Sequence, residues 1–157
     1  MIPDNLAPEG FVETETAFRG RLKTYRLVEP ADQTVSLQEF LTSLRAQVIT
    51  LLRQILNIVN AIKANIWVEC EFVNVHGETC RRSFKSKNIA LFQASNIEEI
   101  CQEIIQKILL EKETCELKGS GWSFVRVLDM EVRVNVYRPL GGSSFIPLPA
   151  DIAAKKQ

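Results

Sequence analysis

The sequence predicts an α+β fold of the ferredoxin-like type, βαββαβ: a four-stranded antiparallel sheet, two helices on one face, and an irregular C-terminal tail. Three observations carry this. Two stretches repeat apolar residues at helical spacing, and each opens on a Ser-x-x-Glu signature. Four stretches alternate apolar and polar residues with a period of two. Turn residues separate them in the order strand, helix, strand, strand, helix, strand.

Residues 1–15 hold two prolines, a glycine and few apolar groups, and read as a flexible arm before a domain over 16–137. From Thr16 to Leu27, TAFRGRLKTYRL places Phe18, Leu22 and Thr24 on one face and Arg19, Arg21, Lys23 and Tyr25 on the other. Pro30 and Asp32 mark a loop, and Ser36 with Glu39 forms a capping box. The helix that follows runs to about Ile62, with Leu37, Leu41, Leu44, Val48, Leu51, Ile55, Ile58 and Ile62 on its core stripe. A second stripe, Ile49, Leu52, Leu56 and Val59, widens the apolar arc beyond what one packed face requires.

IWVECEFVNV then alternates with Ile66, Val68, Cys70 and Phe72 inward, and His76-Gly77 turns the chain into a partner strand, Thr79 to Lys85. Ile89 to Phe92 extends that strand or forms an edge segment. Ser95 with Glu98 reads as the second capping box, before a helix whose apolar face is Ile97, Ile100, Cys101, Ile104, Ile108 and Leu109. After Gly119 and Gly121, Trp122 to Tyr137 is the longest strand, with Phe124, Leu128, Met130, Val132, Val134 and Val136 inward. Right-handed crossovers imply the spatial order fourth, first, third, second. Residues 138–157 form a Gly- and Pro-containing tail or linker.

In that order the open sheet face carries a basic centre, Arg19, Arg21 and Lys23 beside Arg81 and Lys85, flanked by acids on the edge strands. It is either a set of cross-strand ion pairs or a site for phosphate. Base stacking of the RNA-recognition kind calls for exposed aromatics on central strands, and here Tyr25 stands at one end and Trp67 on an edge. The wide helical arc, with Leu140, Phe145, Ile146 and Leu148 of the tail, marks a protein interface, unless the second helix and the loops cover it.

Bulk composition narrows the function classes. Lys+Arg and Asp+Glu are both 19, so any nucleic-acid contact must be a local patch. No apolar run reaches the roughly 18 residues that span a bilayer, and the start lacks a secretory pattern. An intracellular, non-secreted address in nucleus or cytoplasm follows as an expectation. Cys70, Cys80, Cys101 and Cys115 show no C-x-x-C pair and the chain has one histidine, His76, so neither a zinc site nor any other metal or cofactor is expected. Glu98 and Glu99 diverge on their helix, and Gly141-Gly142-Ser143-Ser144 lacks a Walker lysine. No catalytic set is present.

The stretches GSGW…YRPLGGSSFIPLP, AFRGRLKTY and SNIEEI resemble a domain in arthropod open reading frames, over roughly Ala17 to Lys156. These are large proteins of Maverick/Polinton-type and related virus-like elements, in which the domain precedes a protein-primed family B DNA polymerase. The resemblance implies a role in replication or packaging of a mobile element, with the chain either an excised domain or a stand-alone version. No polymerase motif is carried over. The leading expectation is a non-enzymatic interaction module that binds a protein partner or a second copy of itself, with DNA as a secondary contact. Direct nucleic-acid binding by the basic residues is the alternative. A protein primer offering Ser143, Ser144 or Tyr137 is the third, against the plainer reading of those serines as turn residues.

Overall fold

The computed structural model describes residues 1–28, 35–117 and 121–138. It is an α+β fold with strands β1 (Phe11–Ala17), β2 (Leu22–Leu27), β3 (Ala61–Val73), β4 (Thr79–Lys85), β5 (Ile89–Phe92) and β6 (Ser123–Val136). Two helices, α1 (Leu37–Val59) and α2 (Ile97–Leu117), complete it. The capping box of α1 is formed: the Glu39 N–H donates to Ser36 Oγ and the Ser36 N–H to Glu39 Oε1, each at 3.1 Å. Asn60 closes that helix at φ 72°, its N–H donating to the Leu56 carbonyl. At α2 the cap falls one residue later than the sequence suggested. Asn96 Oδ1 accepts the Glu99 N–H, while Ser95 Oγ accepts the Phe92 N–H and closes the preceding turn.

All strand pairs are antiparallel, in a six-stranded sheet of order β1-β2-β6-β3-β4, with β5 beside β4 along the same edge of β3. In terms of the four expected strands the order is first, fourth, second, third, and not fourth, first, third, second. The reason lies in strand length. β3 has 13 residues and β6 has 14, and an edge position would leave one whole side of either ladder unpaired. Paired with each other at the centre, they leave the edges to short strands. A bulge in β6 sets Asp129 opposite Glu69 but Val127 opposite Cys70, so Val127 takes the inward place expected of Leu128.

The expected arm is part of the sheet. Phe11 begins an edge strand and is buried, and Ile2 is buried with its N–H donating to the Gly20 carbonyl at 2.9 Å. The expected continuous strand over 16–27 is broken by a single 3₁₀ turn at Phe18–Gly20. This break reverses the face assignment downstream, because a one-residue slip in a period of two exchanges every side chain. Lys23 and Tyr25 are fully buried on the helix side with Leu27, while Leu22 and Arg26 lie on the other side with Thr24. Phe18, expected inward, is 73% exposed.

Three consecutive left-handed residues make the turn, Phe18 at φ 52°, Arg19 at 58° and Gly20 at 84°. Glycine suits its place for two reasons. A Cβ there would be strained by the φ and would stand 3.1 Å from the Ile2 carbonyl oxygen. Phe and Arg at such φ each cost on the order of 1–3 kcal/mol, so the surrounding hydrogen bonds must hold the turn.

Both helices pack on one face of the sheet and share one apolar cluster with it, from Ile2 and Tyr25 through Ile55, Ile62 and Val68 to Ile108 and Met130. Cys70 and Cys101 sit within it, and burial pushes their thiols up to about 12 and about 11, which keeps them unreactive. The polar intruder is Lys23, whose ammonium donates to Asp4 and, at 2.9 Å, to Glu13. Burial alone would lower its pKa, but these two bonds and their charges hold it above the usual 10.5. Beside it, burial and the Glu13 and Asp4 charges push the Tyr25 phenol to about 12.

Both shifts act in one direction. Above about pH 10 the unfolded chain loses protons that folded Lys23 and Tyr25 retain, so stability falls as pH rises toward about 12. Urea unfolding at pH 8, 10 and 11.5 checks this, and Tyr25→Phe should flatten the decline. At neutral pH Tyr25→Phe should cost little, because its buried hydroxyl has no hydrogen-bond partner among the described residues. Lys23→Ala should cost about 2–4 kcal/mol, because Glu13 keeps its charge in a mostly buried place.

Candidate nucleic-acid interface

The face of the sheet away from the helices can be read row by row from the strand register. One row runs Val12, Arg26, Glu131, Trp67, Lys85 from β1 to β4. Toward the β3 C-terminus follow Asp129, Glu69, Ser83 and then Arg126, Glu71, Arg81. Toward the β3 N-terminus follow Glu15, Thr24, Arg133, Asn65 and then Ala17, Leu22, Asn135, Lys63, Ala90. Beyond the last row Tyr137 adjoins Ala61, whose carbonyl accepts the Tyr137 N–H at 3.0 Å, and Phe92 stands opposite Ala61 on β5.

One half of this face is charge-paired. Arg26 meets Asp129 at 2.9 Å, Arg126 meets Glu71 at 2.8 Å, Arg133 meets Glu131 at 2.8 Å and Arg81 lies 3.7 Å from Glu69. Asp129, Glu131, Glu69 and Glu71 each have an arginine, three of them across strands and Glu131 along β6, and the result is a solvated lattice of ion pairs. Arg133 also lies over the Trp67 ring at 5.7 Å from its centroid.

The other end is different. The row of Lys63 and Asn135 contains no acid, and the sheet terminates there in the Phe18–Gly20 turn, the start of β3 and the ends of β5 and β6. Arg19, Arg21, Lys63 and Arg138 gather at this end, all exposed and without an ion pair among the described residues. The Val136 N–H donates to the Arg21 carbonyl at 2.7 Å, which sets the turn beside the end of β6. Aromatic rings are interleaved with the cations. Lys63 Nζ sits 4.6 Å from the Tyr137 ring centroid, Phe92 lies 6.1 Å from Tyr137, and Phe92 and Phe18 are 42% and 73% exposed. Unpaired cations beside exposed rings can bind phosphate and stack planar groups at the same place.

The residues singled out from sequence are thus divided. Arg19 and Arg21 belong to this end. Lys23, assigned to the open face, is buried behind the sheet and neutralised by Asp4 and Glu13, so it takes no part. Arg81 and Lys85 stand on edge strand β4, with β6 and β3 between them and β2, so no basic centre forms. The centre is acidic and arginine-paired. Of the proposed interface on α1, Ile49, Leu52 and Leu56 are buried in the chain's own core and Val59 packs against it. The excess apolar arc is filled from within. Leu140, Phe145, Ile146, Leu148, Ser143 and Ser144 lie outside the described residues.

Lys63, Arg138, Phe92 and Phe18 were missed. Trp67, read as an edge residue, lies on central β3, and Tyr25, read as exposed, is buried. The one signal available in the sequence was negative: Lys63 lies in a segment, AIKAN, with no neighbouring acid. Among the described residues no group of three or more His, Cys, Asp and Glu is placed to hold a metal, and no helix is long and apolar enough to cross a membrane. No protein family matches the chain, and no curated protein does.

The ion-paired half should contribute little to stability. Arg81→Gln is expected to lower the unfolding free energy by no more than about 1 kcal/mol in a urea titration. Ile55→Ala, at a fully buried position of α1, should cost about 2–5 kcal/mol in the same assay.

Proposed function

We propose that this chain is a non-enzymatic accessory module that binds nucleic acid through the acid-free end of its sheet. The observation that carries the reading is charge segregation within a neutral chain. In a chain of 19 cations and 19 acids, the patch of Arg19, Arg21, Lys63 and Arg138 stands free of ion pairs among the described residues, while Asp129, Glu131, Glu69 and Glu71 of the open face meet other arginines and Glu13 meets Lys23. Four phosphate contacts suit the modest, salt-sensitive grip of a module working beside a larger protein. The resemblance to a domain that precedes a protein-primed DNA polymerase in mobile elements supports a setting of this kind. Self-pairing through α1 loses its support, since its second stripe is already covered.

Fluorescence anisotropy with a labelled oligonucleotide tests the proposal. With about four phosphates neutralised, affinity for a single strand should fall roughly 30- to 100-fold between 50 and 200 mM salt. Charge reversal at Arg19, Arg21 and Lys63 together should abolish binding at 100 mM salt. Reversal at Arg81 and Lys85 should change it by less than about threefold, since these stand on the far edge. Loss of binding from the second pair alone would move the site to β4, and an oligonucleotide that fails to bind at 50 mM salt would sink the reading.

A further inference from the structure

Phe18 is held where its side chain is least favoured. Left-handed positions in a tight hairpin turn are normally filled by Gly, Asn or Asp, yet Phe18 and Arg19 occupy two of the three here. The residue buries little of its surface in return, being 73% exposed. Nor is the turn free to relax. The Arg21 N–H donates to the Phe18 carbonyl at 3.2 Å, the Ile2 N–H to the Gly20 carbonyl and the Val136 N–H to the Arg21 carbonyl. β1 and β2 pair up to Ala17 and Leu22 on its two sides. An exposed bulky residue at an over-determined left-handed position points to a contact made outside the fold.

What it contacts follows from its neighbours. From the turn at the start of β2, the ends of β6, β3 and β5 succeed one another, a span of about 15 Å at normal strand spacing. Tyr137 stands within that span and Phe92 at its far side, with Lys63 between rings and Arg19, Arg21 and Arg138 around them. Three rings over such a distance suit two or three unstacked bases. In a duplex the base faces are occupied by each other, and reaching them requires prising the steps apart. Cations alone would serve either form of nucleic acid, but projecting rings serve the one whose base faces are free.

We infer that the ligand is single-stranded nucleic acid, with Phe18 stacking on an unpaired base while Arg19 and Arg21 hold the adjoining phosphates. This rests on the nucleic-acid reading above and names its substrate form and its specificity residue.

The test compares a labelled mixed-sequence single strand, its blunt duplex and inorganic polyphosphate as competitor, with the wild type and with Phe18→Asn, Phe18→Trp and Arg19→Glu/Arg21→Glu. The single strand should bind at least tenfold more tightly than the duplex at 100 mM salt. Phe18→Asn should weaken single-strand binding about 5- to 50-fold and leave polyphosphate competition within about twofold. Because asparagine suits the left-handed turn, the same variant should melt no lower than the wild type, so the loss cannot be ascribed to unfolding. Phe18→Trp should retain binding, with its fluorescence quenched on addition of the strand. Equal affinity for both strand forms with Phe18→Asn neutral would overturn the inference and leave phosphate binding standing. Indifference to Arg19→Glu/Arg21→Glu as well would overturn both. Phe18-dependent binding to phosphatidylserine vesicles without any single-strand preference would also count against it, assigning the ring to a lipid surface.

Discussion

The antiparallel ladder between β3 and β6 organises the rest of the molecule. These strands pair from Ile62 with Val136 to Val73 with Ser123; β2 adds to the outer edge of β6, β4 and β5 to that of β3, and β1 follows on β2. Once they are joined, Ile62, Ala64, Ile66 and Val68 with Val136, Val134, Val132 and Met130 form a continuous apolar floor. α1 and α2 have only that floor on which to bury their stripes. As far as the bulge in β6, the opposite face then receives the odd-numbered residues of both strands, Lys63, Asn65, Trp67 and Glu69 with Asn135, Arg133, Glu131 and Asp129. The polar surface of the protein is in this sense the complement of its core pairing.

A second constraint is the charge carried inside. Lys23 occupies a core-facing position of β2 that an apolar side chain would fill at less cost, and its ammonium is satisfied only because Asp4 and Glu13 reach it. This ties the first strand and the N-terminal segment to the sheet in one register. With Ile2 bonded to Gly20 and Phe11 buried, it also supports the left-handed turn at Phe18–Gly20. The interaction that fixes the edge of the sheet therefore also positions the two arginines on which the proposed site depends.

Most elements were legible because each is a local pattern. The α1 capping box and the hairpin joining β3 to β4 are written within a few residues and appear as read, and the apolar alternation of β6 does so from Met130 to Val136, beyond its bulge. Two things were not local. Strand order is decided by which strands can afford an unpaired edge, and it becomes apparent only when their lengths, 13 and 14 residues against 7 or fewer, are compared. The face of β2 was misread because TAFRGRLKTYRL is amphipathic in either phase, with Phe18 and Leu22 balancing Tyr25 and Leu27. Only the turn breaks the tie, and Phe-Arg-Gly is not a sequence that announces one. The site inherited both errors: Lys23 was counted on the wrong side, Trp67 at the wrong edge, and the acid-free end was not seen as one place.

That end also explains how a chain with no net charge can present a cationic surface. Charge balance is a property of the whole sequence, whereas recognition depends on which charges remain uncompensated. Here the acids of the open face lie where an arginine stands in the same or the next row, and Asp4 and Glu13 are turned on Lys23. Neutralisation is thus concentrated toward the middle and one end of the sheet. The remaining end keeps its cations, and the strands terminate there, so the side chains spread into solvent without a neighbouring strand to pair them. A surface built in this way attracts a polyanion locally while the rest of the protein offers it little, which favours one mode of contact over diffuse adhesion. The strained Phe18 stands at the margin of that patch, where an aromatic ring adds a requirement for exposed bases that charge alone cannot impose.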